Sequence, residues 1–176
     1  MLNFFKKKTP GHLTITLNAK LQPRDRAELE DAFDKICKEN GIMAEVDGGG
    51  TLMEDSGEVK ECDIDIRMDN ISDENVKQIV ELFEAMLAPI GSRCTVSGQE
   101  SIQFGKHQGL GLYLNGTDLP DEIYKNCDSN FVYSECERLL EGIAIVNSHW
   151  QGPSETALYM YGKDFSEINK KIKPFR

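Results

Sequence analysis

Short runs of alternating apolar and polar residues are spaced along the chain, separated by longer runs with apolar residues at helical intervals. Over 12–18, Leu13, Ile15 and Leu17 point one way, the period-two pattern of a half-buried strand. Pro23 presets the backbone for a first helical turn. Leu29, Phe33, Ile36 and Cys37 then form one stripe, and Asn40-Gly41 reads as a helix stop. A second strand is expected over 42–46, with Gly48-Gly49-Gly50 through Gly57 as a polar connection. Ile64, Ile66 and Met68 alternate with Asp63, Asp65 and Arg67, predicting a third strand. Asp73 and Glu74 suit a first helical turn, where the helix dipole favours negative charge. Val76, Ile79, Val80 and Phe83 form that helix's stripe, Pro89-Ile90-Gly91 ends it, and 93–96 is a fourth strand. The order is β-α-β-β-α-β.

The same punctuation returns downstream. LTITLNAKLQPRD is echoed by LGLYLNGTDLPDE, with Leu17-Asn18 and Pro23 each 97 residues before Leu114-Asn115 and Pro120. Asn18 and Asn115 end strands, where the side chain can bond the backbone of the turn. Strands are expected over 110–114, 143–146 and 156–161. A helix follows Pro120, with Asp121 and Glu122 in its first turn, and the Asp128-Ser129-Asn130 cluster interrupts it. Its stripe includes Cys127, Phe131, Cys136, Leu139 and Leu140, and Gly142 stops it. In a last helix over 165–175, Ile168, Ile172 and Phe175 match Val76, Val80 and Phe83 at an offset of 92. Self-similarity of this kind marks two copies of one structural unit.

The fold class expected is therefore α+β: two tandem ferredoxin-like βαββα(β) units with antiparallel sheets and helices on one face. The first spans 1–104. The second spans 105–176 and lacks its final strand, because the chain stops after the helix. Two such units should cover each other, either face to face or as one continuous sheet. The second sheet keeps an open edge unless 101–104 or the N-terminus fills it, and open edges invite pairing with another chain. Homodimerisation or strand addition by a partner is the expectation.

Charge narrows the partners. The net charge is −10, and 24–65 holds 14 Asp and Glu against 5 Lys and Arg. Nucleic acid is disfavoured, since its affinity comes mainly from Lys and Arg at phosphates. A basic protein partner fits. The basic C-terminal helix is read as packing on a sheet rather than lying on a membrane. No run of 18 apolar residues exists, which excludes a spanning helix, and the N-terminus has the wrong order of charge and apolarity for a secretory signal. A cytoplasmic protein is expected. Cys37, Cys62, Cys94, Cys127 and Cys136 form no CxxC pair, so free, buried thiols are expected rather than zinc or disulfides.

Catalytic motifs are absent. Gly48-Gly49-Gly50 fails the phosphate-loop pattern, because no Lys-Ser/Thr and no helix follow. The acidic stretch from Glu54 to Asp65 lacks the spacing of a calcium loop, so no metal or cofactor is assigned. His149 with Cys127 or Cys136 makes no recognisable nucleophile motif. Trp150, the single Trp, is an interface anchor if exposed and a plug between the units if buried.

The segments GLYLNGTDLPDEIY and HWQGPSETALYMYG resemble small uncharacterised bacterial proteins with tandem βαββα repeats, associated with polymorphic-toxin neighbourhoods. The resemblance covers 105–175, brings no catalytic residues, and implies a further strand after Phe175 that this chain lacks. The function expected is a non-catalytic protein-binding protein, an immunity protein neutralising a bacterial toxin, with Glu54, Asp55, Glu58 and Glu61 as contact patch and Trp150 as a further binding residue. The alternative is a small-ligand-binding regulatory module that binds between the units.

Overall fold

The computed structural model describes residues 8–126 and 129–175. Its elements run β1 (Gly11–Leu17), α1 (Pro23–Asn40), β2 (Ala44–Met53), β3 (Val59–Met68), α2 (Asp73–Ala85), β4 (Ser92–Val96), β5 (Ile102–Phe104), β6 (Gln108–Asn115), α3 (Asp121–Asn126), α4 (Ser129–Leu139), β7 (Ala144–Gln151), β8 (Glu155–Gly162) and α5 (Phe165–Lys171). A short 3-10 turn, Lys173–Phe175, follows. The fold is α+β with antiparallel sheets. No helix among the described residues is long and apolar enough to cross a membrane.

Local chemistry sets the boundaries. Pro23 opens α1, and Gly41 closes it at φ 66°, a left-handed cap that glycine adopts without a Cβ penalty. The Ser72 hydroxyl caps α2 by accepting from the Asn75 amide. Asp164 caps α5 by accepting from the amides of Ser166 and Glu167. Each such cap satisfies helical N–H groups that lack an internal partner. Helix is described over Asp121–Asn126 and Ser129–Leu139, with Ser129 and Asn130 helical; Cys127 and Asp128, where the interruption was expected to begin, lie outside the described residues.

The first sheet has the order β2-β3-β1-β4-β5 and the second β6-β8-β7. Leu13 and Ile15 of β1 lie level with Ile66 and Ile64 of β3. They form one buried face against Phe33 and Cys37 of α1 and Val76, Ile79 and Phe83 of α2. The Phe33 and Phe83 rings stack at 5.0 Å. The opposite face is polar: Thr14 pairs with Asp65 and Thr16 with Asp63. In the second sheet, Leu112, Val146, Leu158 and Met160 meet Val132 and Cys136 of α4 and Ile168 of α5.

Three expectations are corrected. The Gly48-Gly49-Gly50 run belongs to β2 and is no connection; the turn is 54–58. A Cβ on Gly49 would sit 2.3 Å from Arg26 Nη1 and 2.4 Å from the Asp63 carbonyl, so glycine lets the half-buried Arg26–Glu30 ion pair lie across the strand. The segment at 101–104 does not fill the second sheet's edge: its strand β5 pairs with β4 and extends the first sheet. The N-terminal alternative, residues 1–7, lies outside the described residues. The two sheets are not continuous. The second sheet's outer face, with Trp150, Ala157, Tyr159 and Tyr161, joins a cluster with Ala19 and Leu21 from the loop after β1. Every residue of β8 from Ala157 to Gly162 is therefore buried, its even positions against helices and its odd positions against the first half.

Candidate binding site

Lys20 is the centre of the joint. Its backbone N–H donates to the Tyr161 hydroxyl at 2.8 Å, and its carbonyl accepts from the buried Ser148 hydroxyl at 2.5 Å. Its ammonium lies 2.6 Å from Glu58 Oε1 and donates to the Val59 carbonyl at 3.0 Å. The Tyr159 and Tyr113 hydroxyls donate to the same Glu58 oxygen at 2.7 and 2.8 Å. Burial alone would raise the Glu58 carboxyl, but donation from Lys20, Tyr159 and Tyr113 outweighs it and holds the group below its ordinary value. Burial pushes the Tyr161 hydroxyl up to about 12 against the opposing Lys20 amide. Tyr159 is raised by burial and by bonding to the Glu58 carboxylate. Three donors thus converge on one carboxylate oxygen and lock the halves together.

A groove of about 680 Å³ opens beside this cluster, with Lys20, Lys60, His107, Tyr159 and Tyr161 among its lining residues and no carboxylate. Gly109 and Gly111 from one face of β6, Leu110 from the other, and Phe165 also line it, so it follows the outer edge of that strand. The direction of the backbone groups can be read from both ends of β6. Before it, the His107 N–H donates to the Ala88 carbonyl and the His107 carbonyl accepts from Ile90, on the side away from β8. After it, the Gly116 N–H donates to Ser154, on the β8 side. Backbone groups alternate sides along a strand. The N–H and C=O of Gly109, Gly111 and Tyr113 therefore point outward with His107, and the even residues point to β8. Among the described residues no strand pairs with β6 on that outer side; its ladder partner is β8.

The glycines are fitted to their neighbours. A Cβ on Gly109 would lie 2.8 Å from the Tyr161 ring, and one on Gly111 would lie 3.0 Å from Tyr113 and 3.5 Å from Tyr159. Gly109 and Gly111 are exposed, which leaves the backbone of this edge uncovered. Glycine inside a strand often marks close approach by another backbone. His107 is 7% exposed, and its Nδ1 has no hydrogen-bond partner.

The residues singled out from sequence are scattered. Glu54 and Asp55 are exposed in the β2–β3 turn. Glu58 is drawn into the Lys20 cluster with a side chain 15% exposed. Glu61 is half-buried and takes Arg93 at 3.0 Å. Trp150 lies in β7, 7% exposed, with Gly152 under its ring; it plugs the joint. Lys20, Tyr113, Tyr159, Tyr161 and the Gly109/Gly111 pair were missed. Their signal was present as glycines opposite Leu110 and Leu112, and tyrosines opposite Leu158 and Met160, which marks a strand with two unlike faces.

The described thiols are buried. Burial pushes Cys37, Cys94 and Cys136 up to about 11 and Cys62 to about 12, opposite to the depression a nucleophilic thiolate needs. Cys136 is enclosed in the second core, whereas His149 is exposed and lines a separate cleft of about 600 Å³ with Asp25 and Tyr133. Among the described residues no group of three or more His, Cys, Asp or Glu is placed to hold a metal ion.

No protein-family model matches the chain, and no curated protein does. Among solved structures it is similar to the crystal structure of an unknown protein from Galdieria sulphuraria. The two share 9% identity over 95% of this chain and 92% of the other, with a TM-score of 0.33. At that score the likeness bears on neither fold nor function.

Proposed function

We propose that the protein is a non-catalytic protein-binding protein, built from two tandem ferredoxin-like units over 1–104 and 105–176, and that it holds an extended segment of a partner along β6. The observation that carries this reading is the outward-facing, unpaired backbone of Gly109, Gly111 and Tyr113. Each half supports the unit assignment: β1 is flanked by β3 with β2 beyond it, and β6 by β8 with β7 beyond it. The slot that β4 fills beside β1 has no described strand beside β6. Strand addition would supply ladder hydrogen bonds there. An immunity protein neutralising a toxin is one binder of this kind, and Glu54 and Asp55 would steer a partner whose wider surface is basic.

A second reading, a small-ligand-binding regulatory module, is favoured by the groove itself. It lies between the halves, is lined by tyrosines, and includes the unpartnered His107. Amide hydrogen exchange in the presence of binders selected from a mixed-charge peptide library separates the two. Slowed exchange at Gly109, Gly111 and Tyr113, with Leu110 and Leu112 unchanged, supports strand addition. Binders that leave all three amides unaffected, beside thermal-shift hits in a metabolite panel, overturn it in favour of the second reading.

A further inference from the structure

Resting on the strand-addition reading, we infer that the segment received by β6 is an extended stretch in which apolar and acidic side chains alternate. A strand beside β6 sends successive side chains to opposite faces. On the helix side it would meet Leu110 and Leu114, both half-buried, and Phe165, 44% exposed. These are apolar groups that only another apolar residue covers. On the side facing the first half it would meet Lys20, Lys60 and His107, in a groove whose lining holds no carboxylate, within a chain of net charge −10. Lys20 is already matched by Glu58. Lys60 is exposed and makes no ion pair among the described residues, so it is the cation left to select charge.

The first half supplies the template. Beside β1, strand β4 buries Ser92, Cys94 and Val96 and turns Arg93 and Thr95 to the polar face. Arg93 there finds Glu61 on the same sheet. The segment beside β6 repeats that alternation with the charge inverted, because the waiting group is a lysine.

The test uses the full chain and peptides of about eight residues, the reach of one strand. One alternates Val and Glu, one alternates Val and Lys, and one carries the Val and Glu residues in two blocks. The alternating Val–Glu peptide should bind, slow exchange at Gly109, Gly111 and Tyr113, and weaken with salt. The Val–Lys peptide should bind about five-fold more weakly, an ion-pair effect at a partly exposed site, and Lys60→Glu should invert that order. Equal affinity for both charges, with the three amides protected, overturns the acidic assignment and leaves strand addition standing. Block and alternating peptides binding alike overturns the two-faced pattern. Protection of the three amides by self-association, seen without peptide as a concentration-dependent dimer, makes a second copy the occupant and overturns the inference. No protection under any condition removes strand addition itself.

Discussion

Lys20 and Glu58 meet at 2.6 Å across the joint between the two halves of the chain, and the hydroxyls of Tyr113 and Tyr159 close on the same carboxylate oxygen. One acidic residue thereby ties the loop after β1 and the β2–β3 turn to β6 and β8. Lys20, Tyr113 and Tyr159 of this cluster also line the groove beside β6.

Glu58→Gln should therefore destabilise the protein by about 1.5 kcal/mol at neutral pH, the scale of a hydrogen bond to a charged group. The Glu58 carboxyl is held below its ordinary value of 4.5 in the folded chain. Its stabilisation is complete above the unfolded value and is lost as pH falls through the folded one. Urea midpoints measured from neutral pH down to below 4 should fall less steeply for Glu58→Gln than for the wild type. Parallel profiles would remove Glu58 from the joint's energetics.

Trp150 is almost fully enclosed where the halves meet. Truncation to Ala should cost about 3–5 kcal/mol, the range for deleting a large aromatic side chain from a core. Because Trp150 is the sole tryptophan, its fluorescence also reports on the joint. Emission should be blue-shifted in the native state and move red in one cooperative urea transition. A red-shifted native spectrum would place the ring in water and contradict its burial.

Neighbouring glycines in β2 should respond differently. Gly49→Ala forces a Cβ to within 2.4 Å of the Asp63 carbonyl, a backbone atom that cannot swing away, so a loss of about 1–3 kcal/mol is expected from overpacking. Gly50 has nothing within 4 Å of a built Cβ. Gly50→Ala should leave the unfolding free energy within about 1 kcal/mol of the wild type or raise it slightly, since alanine restricts the unfolded chain. Equal effects at the two sites would contradict the packing of Arg26 across this strand.

Cys37, Cys62, Cys94 and Cys136 should resist a thiol reagent at pH 8 while the protein is folded. All four are buried, and burial holds their thiols well above that pH. Reaction should follow unfolding, with a rate that rises with urea. Rapid modification of any of the four in the native protein, mapped by mass spectrometry, would contradict the burial.

Much of the fold was legible in sequence because burial on one face writes a local period. The stripe of α1, the alternation of β3 and the repeated Leu-Asn and Pro positions locate elements without reference to distant residues. Asn115 also behaves as its position suggests, accepting from the amides of Thr117 and Asp118 in its own turn. Its counterpart Asn18 instead donates its side-chain amide to the Ile90 carbonyl and its backbone N–H to the Ser92 hydroxyl oxygen. The difference follows the strand beside each one: β4 lies next to β1, and no described strand takes that place next to β6.

The sequence by itself determined the order of the main elements and their apolar stripes, since each depends on residues a few positions apart. Only tertiary structure decided that Glu58 is clamped rather than presented, that Gly48-Gly49-Gly50 is strand, and that the groove lies along the outer edge of β6. Those outcomes depend on contacts such as Tyr159 with Glu58, 101 residues apart, whose formation is set by how two packed halves meet and leaves no period along the chain.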